Sequence, residues 1–401
     1  MGSRAQTGSR LLSIDALRGT VMIVMALDHV RDFVHRSAMS SSPTDLTKTT
    51  PVLFLTRWIT HFCLPVFMFT AGMGAFLWWQ RGNHTKGQLS RFLVTRGIWF
   101  IFLELTVMQF AYNFSISSRY IVLLLILWIF GVCMIVMAAL VYLPLRWLAV
   151  ISIAVIALHN CLDRISAAQF GSGAWAWNMI HQPGIFVLAG RPVLVTYTLL
   201  PWIAVMTAGF CFGQLFTLES AKRQRIMLRF GLVLTVAFVV IRLINHYGDP
   251  APWSAQKSVV FTLLSFLNCT KYPGSLDFLL MTLGPGLLAL AYFDKHPPRI
   301  TNPVIVFGRV PFFYFVLHFY LIHILVVLLA WIRYGSTAFS FIFHPLPSMG
   351  GPKELFPANF GYSLWVVYVV WIGIVAALYP VCRWFAGVKA RRKDLWWLSY
   401  L

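Results

Sequence analysis

Long runs of Leu, Ile, Val, Phe, Met and Trp recur along the whole chain, separated by short polar segments. Crossing a hydrocarbon layer takes about 20 residues of α-helix. The runs at 12–34, 52–79, 90–112, 120–143, 145–161, 193–217, 228–246, 274–293, 303–331 and 362–385 are of that order. A further apolar stretch, 259–267, is too short to cross unaided and reads as a partly inserted segment. The pattern predicts an all-α fold, a polytopic membrane helix bundle of about ten spans, or eleven if 259–267 also crosses. It divides the chain into a basic N-terminal segment, 1–11, a transmembrane domain, 12–385, and a basic tail, 386–401.

Composition agrees: 59% of the 401 residues are hydrophobic and only 11% charged, against roughly a quarter charged in an ordinary soluble domain. The net charge of +20 would suggest nucleic acid on a soluble chain. Here the Lys and Arg residues sit in short runs between apolar segments, where they orient the protein, and no nucleic-acid partner is expected. Arg4 and Arg10 place the N-terminus in the cytoplasm, and alternation then brings in the connectors holding Arg81, Lys86 and Arg91, and Lys222, Arg223, Arg225 and Arg229. With ten spans the Lys295/Arg299 connector and the run Lys389, Arg391, Arg392 and Lys393 fall on the same side; an eleventh would carry that run outside. Ten spans are therefore preferred. The long loops 35–51, 162–192, 247–273 and 332–361 then face outward.

Cys63, Cys133, Cys161, Cys211, Cys269 and Cys382 form no CxxC pair and mostly lie in apolar runs, so they read as small hydrophobes. No metal is expected. His29, His61, His318 and His323 lack the close helical spacing of a dedicated site, and no Gly-rich phosphate loop is present.

The first span departs from the apolar pattern. It reads Ser13-Ile-Asp15-Ala-Leu-Arg18-Gly19 and later Leu27-Asp28-His29-Val-Arg31-Asp32, and ionisable groups at such depth are functional hypotheses by default. Arg18 and His29 are eleven residues apart, about 16 Å along the axis and within about 20° of one face. They therefore look into one channel at two depths. Asp15 is placed to pair with Arg18, and Asp32, three residues after His29, to orient its imidazole. Asp28 faces elsewhere, towards a neighbouring helix. On other spans, His61 lies near the depth of His29 and just before Pro65, whose missing N–H allows a kink. Glu104 lies deep in the third span, where it needs Arg96, a histidine or water as partner. Arg309, His318 and His323 follow the Gly308-Arg309-Val-Pro311 interruption of the ninth, the two histidines about 140° apart around the helix. Trp175-Ala-Trp177-Asn178 with His181 fits an interfacial belt or a sugar-stacking face.

These groups suit two classes of chemistry. A histidine in the outward half can take a proton from an attacking hydroxyl or amine, or itself attack a thioester, while Arg18 holds a phosphate. The same groups could relay protons in a transporter, and a non-catalytic partner of an envelope enzyme is a third reading.

Four ordered motifs resemble a bacterial membrane family related to the catalytic domain of heparan-α-glucosaminide N-acetyltransferase. They are Leu12–Gly19 with Met25–Phe33, Trp58–Phe67, Leu264–Asn268 with Lys271-Tyr272-Pro273, and Gly308–Pro311 with His318–His323. Within the wider superfamily of transmembrane acyltransferases, an Arg stands eleven residues before a catalytic His on the first core helix. The resemblance implies those roles for Arg18 and His29, and a multi-pass protein of the bacterial inner (plasma) membrane, surrounded by lipid, with both termini cytoplasmic. It implies acyl-CoA, in the first instance acetyl-CoA, as cytoplasmic co-substrate and an extracytoplasmic sugar, amino sugar or glycan as acceptor. His29, Asp32 and His61 are then the catalytic candidates. Arg18, Asp15, Glu104, Asn268, Lys271, Arg309, His318 and His323 are the donor- or substrate-binding ones. The glucosaminide enzyme itself has an Asn matching His29 and its catalytic His further along the outward loop; the loop here differs in length and sequence, so that role is not carried to His35. Association into a homodimer is left open.

Overall fold

The computed structural model describes residues 2–115, 120–392, 394, 395 and 398, with residues 2–11 as helical backbone alone. Lys393 of the basic tail lies outside the described residues. The chain folds into an all-α membrane bundle. Among the described residues eight helical stretches are long and apolar enough to cross a bilayer. Helix α1 (Gly2–Val34), with its charges, and the 15-residue apolar stretch Ile126–Leu140 complete the ten expected rods.

Several spans are interrupted where their sequence requires it. The second runs as α2 (Pro51–Trp58), a tight 3₁₀ turn over Ile59–Phe62 and α3 (Cys63–Arg81). Pro65 cannot bond the carbonyl four residues back, and that carbonyl belongs to His61, in the turn. The third comprises α4 (Lys86–Leu103), a π-helical turn over Glu104–Met108 and α5 (Gln109–Asn113). The expected span 120–143 begins instead with strand β1 (Val122–Leu124), followed by α6 (Ile126–Leu140) and then α7 (Leu145–Leu158).

After the short α8 (Ala174–Ile180) come β2 (Gly184–Leu188) and β3 (Arg191–Val195), so the expected span from 193 also starts as strand. β3 pairs antiparallel with β2 and parallel with β1, in the order β1-β3-β2. The remaining helices are α9 (Leu199–Phe212), α10 (Ser220–Ile244), α11 (Val259–Leu267), α12 (Leu276–Lys295), α13 (Pro303–Arg309), α14 (Pro311–Tyr334) and α15 (Leu364–Arg391). Helix α11 has nine residues, about 14 Å of helix, which is too short to cross.

Helix α1 sits at the centre, packed on α3, α12, α13, α14 and α15. Its closest neighbour is α13, and two glycines make the approach. A Cβ on Gly19 would stand 1.7 Å from the Val304 carbonyl oxygen, and one on Gly308 would stand 1.8 Å from that of Asp15. The break between α13 and α14, at Val310 and Pro311, then sends α14 along the C-terminal half of α1, where His318 meets His29. The loops after α1, α7, α10 and α14 gather at one end of the bundle. Asn268 donates to the Thr44 carbonyl at 3.2 Å, Lys353 to that of Ser40 at 3.2 Å, and the Arg36 N–H to that of Tyr362 at 2.9 Å. At the opposite end lie Arg18, Arg223, Arg309 and Lys389. Arg223, read from sequence as part of an open connector, is instead on α10, 1% exposed and ion-paired with Asp294 at 2.8 Å.

Candidate active site

His318 is fully buried, and its Nδ1 lies 3.0 Å from the backbone oxygen of Tyr314. A carbonyl can only accept, so Nδ1 carries the proton and the Nε2 of the neutral ring is a bare lone pair. That Nε2 is 2.6 Å from Nδ1 of His29. His29 must therefore donate through Nδ1, which leaves its own Nε2 unprotonated. The ring of His29 is clamped by Phe319 at 4.1 Å between centroids and edge-on by Phe315. An imidazole fixed in one tautomer, with its basic nitrogen left for a cavity, is a general base in waiting.

That cavity is about 230 Å³, and its wall includes Asp28, His29, Arg57, Tyr112, Tyr197 and Tyr272. A second, of about 440 Å³, adjoins it and is more polar, lined among others by Ser42, His61, Asn268 and Lys271. Asp32, Arg57, Tyr272 and Ser348 line both. The two cavities are thus neighbouring rooms with a common wall.

Charges in that wall are paired. Arg31, 2% exposed, is ion-paired with Asp28 at 2.8 Å and donates to Asp32 at 2.5 Å, and Arg57 on α2 makes a very short contact with the other Asp28 oxygen. The spacing rule sends Asp32 to His29. The structure corrects this: a buried guanidinium needs carboxylates, Arg31 takes Asp32, and the hydrogen bond on His29 comes from His318. Asp28 reaches a neighbouring helix as its position predicts.

The other sequence candidates divide between the cavities and the far end. His61, Asn268 and Lys271 line the larger cavity, with His61 Nδ1 buried and without a hydrogen-bond partner. His323 borders neither cavity; it meets the Ala111 oxygen at 2.9 Å and stacks on Phe114 at 3.8 Å. Glu104 is likewise absent from both, and its partners are not Arg96 or a histidine. Its carboxylate accepts from the backbone N–H groups of Leu127 at 2.8 Å and of Leu125 and Trp128 at 3.3 Å, and from the Tyr112 hydroxyl at 3.2 Å. It caps the N-terminus of α6, whose own cap position is Leu125 and offers no side-chain acceptor.

At the other end of α1, Arg18 donates to the Thr70 carbonyl at 3.0 Å and lies 3.9 Å from Asp15, which is also 4.0 Å from Arg309. Gly74 leaves room for the guanidinium, since a Cβ there would come within 3.0 Å of Arg18. Arg81 and Lys389 are near enough to act on the charge of Asp15, and Lys389 is in turn close to Arg96 and Arg18. Four cations thus act on one carboxylate, with Arg96 beside one of them. Sequence reasoning named Arg18, Asp15 and Arg309 here, and read Arg81 and Lys389 only as orienting charges and Arg96 as a partner for Glu104; it gave no site role to Arg57, Tyr197 or Tyr272 at the cavities. No helical period links these residues to α1.

A bundle of membrane-crossing helices around one polar helix, with an imidazole pair near one end and clustered cations near the other, defines a multi-pass membrane protein built around a site inside its own helix bundle. The chain belongs to the heparan-alpha-glucosaminide N-acetyltransferase catalytic family, which matches residues 10–245, and this is a family of membrane N-acetyltransferases. The matched region holds the first two of the four motifs; Tyr272 and His318 lie beyond it. No curated protein matches the chain.

Proposed function

We propose that the protein transfers an acetyl group from cytoplasmic acetyl-CoA to the amine or hydroxyl of a sugar on the other side of the membrane. The observation that carries this reading is the His29–His318 pair, whose hydrogen bonds fix His29 with a free Nε2 on the cavity. Arg18 and its neighbouring cations supply the phosphate-binding end for the CoA, and the flexible pantetheine arm follows the polar face of α1 towards His29. The acceptor enters among the loops at the opposite end. Its nitrogen or oxygen bonds to the acetyl carbon while His29 Nε2 takes its proton. The carbon–sulfur bond then breaks, and the CoA thiolate takes that proton back from His29.

The test is acetyl transfer by purified protein in lipid vesicles, with radiolabelled acetyl-CoA and a panel of amino sugars and glycans. Label is expected on at least one sugar. Label on none, together with sugar translocation in a transport assay, would select the transporter reading instead. In the same assay Arg18→Ala is expected to raise the KM for acetyl-CoA by about tenfold or more, the value of a lost charge-assisted hydrogen bond. The KM for the acceptor should stay nearly constant, because Arg18 lies towards the other end of α1 from His29.

A further inference from the structure

Addition of an acceptor to a thioester puts negative charge on the carbonyl oxygen, and fixed donors aimed at that charge are usually the largest single contribution to catalysis. His29 does not provide one. Its Nδ1–H is committed to His318 and its Nε2 accepts the acceptor's proton, so the donor must come from elsewhere on the cavity wall.

Three tyrosines line this wall, Tyr112, Tyr197 and Tyr272. Tyr112 donates its proton to Glu104 at 3.2 Å. Tyr272 is placed differently. Arg57, anchored through one nitrogen on Asp28, donates through Nη2 to the Tyr272 oxygen at 3.3 Å. The oxygen of Tyr272 is therefore already an acceptor for a cation, which polarises its own O–H and leaves that proton to give away. Its protein neighbour is the hydroxyl of Tyr197, at a long 3.4 Å. Tyr272 also stands in the wall common to both cavities, with 37% of its surface exposed.

The backbone that carries Tyr272 is held on both sides. Asp249 accepts from the Thr270 N–H at 2.7 Å, the Thr270 hydroxyl at 2.8 Å and the Ser275 hydroxyl at 2.6 Å. Arg242 donates to the carbonyls of Phe266 at 3.0 Å and Asn268 at 3.1 Å, and a ring nitrogen of His159 lies 3.0 Å from that of Gly274. A donor helps a transition state only if it is fixed before the charge appears, and these bonds fix it.

We infer that Tyr272 is the catalytic hydroxyl that stabilises the oxyanion of the tetrahedral intermediate, with Arg57 as the residue that positions and polarises it. The inference rests on the acetyl-transfer reading. As the acceptor's lone pair bonds to the carbonyl carbon, the carbonyl π electrons move to oxygen, and Tyr272 donates a hydrogen bond to that oxygen without giving up its proton. Collapse restores the carbonyl and expels the CoA thiolate, which is protonated from His29.

The experiment compares wild type, Tyr272→Phe and Tyr197→Phe in steady-state acetyl transfer across pH, with thermal unfolding of each in detergent. Tyr272→Phe is expected to lose about 10²-fold in kcat with both KM values little changed and the shape of the pH profile retained, since the base is untouched. Tyr197→Phe, which lies on the same cavity but leaves the Tyr272 hydroxyl in place, is expected to show a much smaller loss, of about threefold. A kcat for Tyr272→Phe within that range overturns the inference, as does an equal loss in both variants, because each removes the Tyr197–Tyr272 contact. Wild-type protein that acetylates nothing overturns the acetyl-transfer reading itself, a separate result.

Discussion

Acetyl transfer by the His29→Ala protein is expected to fall by about 10²–10⁴ in kcat, the range that a positioned general base contributes, with the KM for each substrate nearly unchanged. Alanine removes the one nitrogen that the hydrogen-bond chain Tyr314 O, His318, His29 leaves unprotonated on the cavity. His318→Ala should cost less, since the base remains, but it frees Nδ1 of His29 to lose its proton to the other nitrogen. The ring then divides between two tautomers. Residues that act as one unit give non-additive losses, so the double variant should be no slower than His29→Ala alone. Initial rates of label transfer for the three variants decide it. A His29→Ala rate near that of wild type would remove His29 from the mechanism, and fully additive losses would separate His318 from it.

Helical spacing made the first half of that chain legible. The fixed rise and twist of a helix place Arg18 and His29 on one face of α1, although the two cavities reach His29 alone and Arg18 bonds to the Thr70 carbonyl on α3. His318 is 289 residues from His29 in sequence, and the break at Val310-Pro311 that aims α14 back along α1 fixes their meeting. Local period says nothing about it. The same limit explains Asp32. Spacing put it within reach of His29, but Arg31 is buried and competes for the same carboxylate with a full charge.

Glu104 shows a signal that was present and could be read. The α6 segment begins Leu-Leu-Leu-Ile-Leu with no Ser, Thr, Asp or Asn to satisfy its first N–H groups, so an acceptor had to come from another helix. A lone buried carboxylate was the natural supplier. The strands were hidden for a different reason. The residues at 122–124 and 193–195 are as apolar as the helices they precede, and a short apolar run carries no period that separates strand from helix. Only the pairing of β1 with β3 reveals them. The ten-rod bundle, by contrast, needed nothing but run length.

Asp294→Ala is expected to destabilise the fold by about 3–5 kcal/mol, the cost of leaving one member of a buried ion pair alone. Arg223 donates to the two Asp294 oxygens at 2.8–3.1 Å, and both side chains are almost wholly buried, at 1% and 0% exposed. Removing the carboxylate strands a guanidinium between α10 and α12, with Phe216 5.4 Å away as a poor substitute. Replacing the pair by Arg223→Met with Asp294→Leu should recover most of the loss, because apolar pairs of similar volume often replace buried ion pairs at no net cost. Thermal unfolding in detergent distinguishes the cases, and equal stability of Asp294→Ala and wild type would deny the pair its role. Ser13 makes the site matter for function as well. Its hydroxyl donates to Asp294 at 3.4 Å, tying α1 to α12 five residues before Arg18. Without that tie the N-terminal end of α1 loses one of its holds on α12, while its far end keeps its contacts with His318 and Arg57. Surviving Asp294→Ala protein should therefore show a weakened KM for acetyl-CoA and an acceptor KM close to wild type. A defect shared equally by both substrates would mean that the pair supports the bundle as a whole and has no particular hold on the donor end.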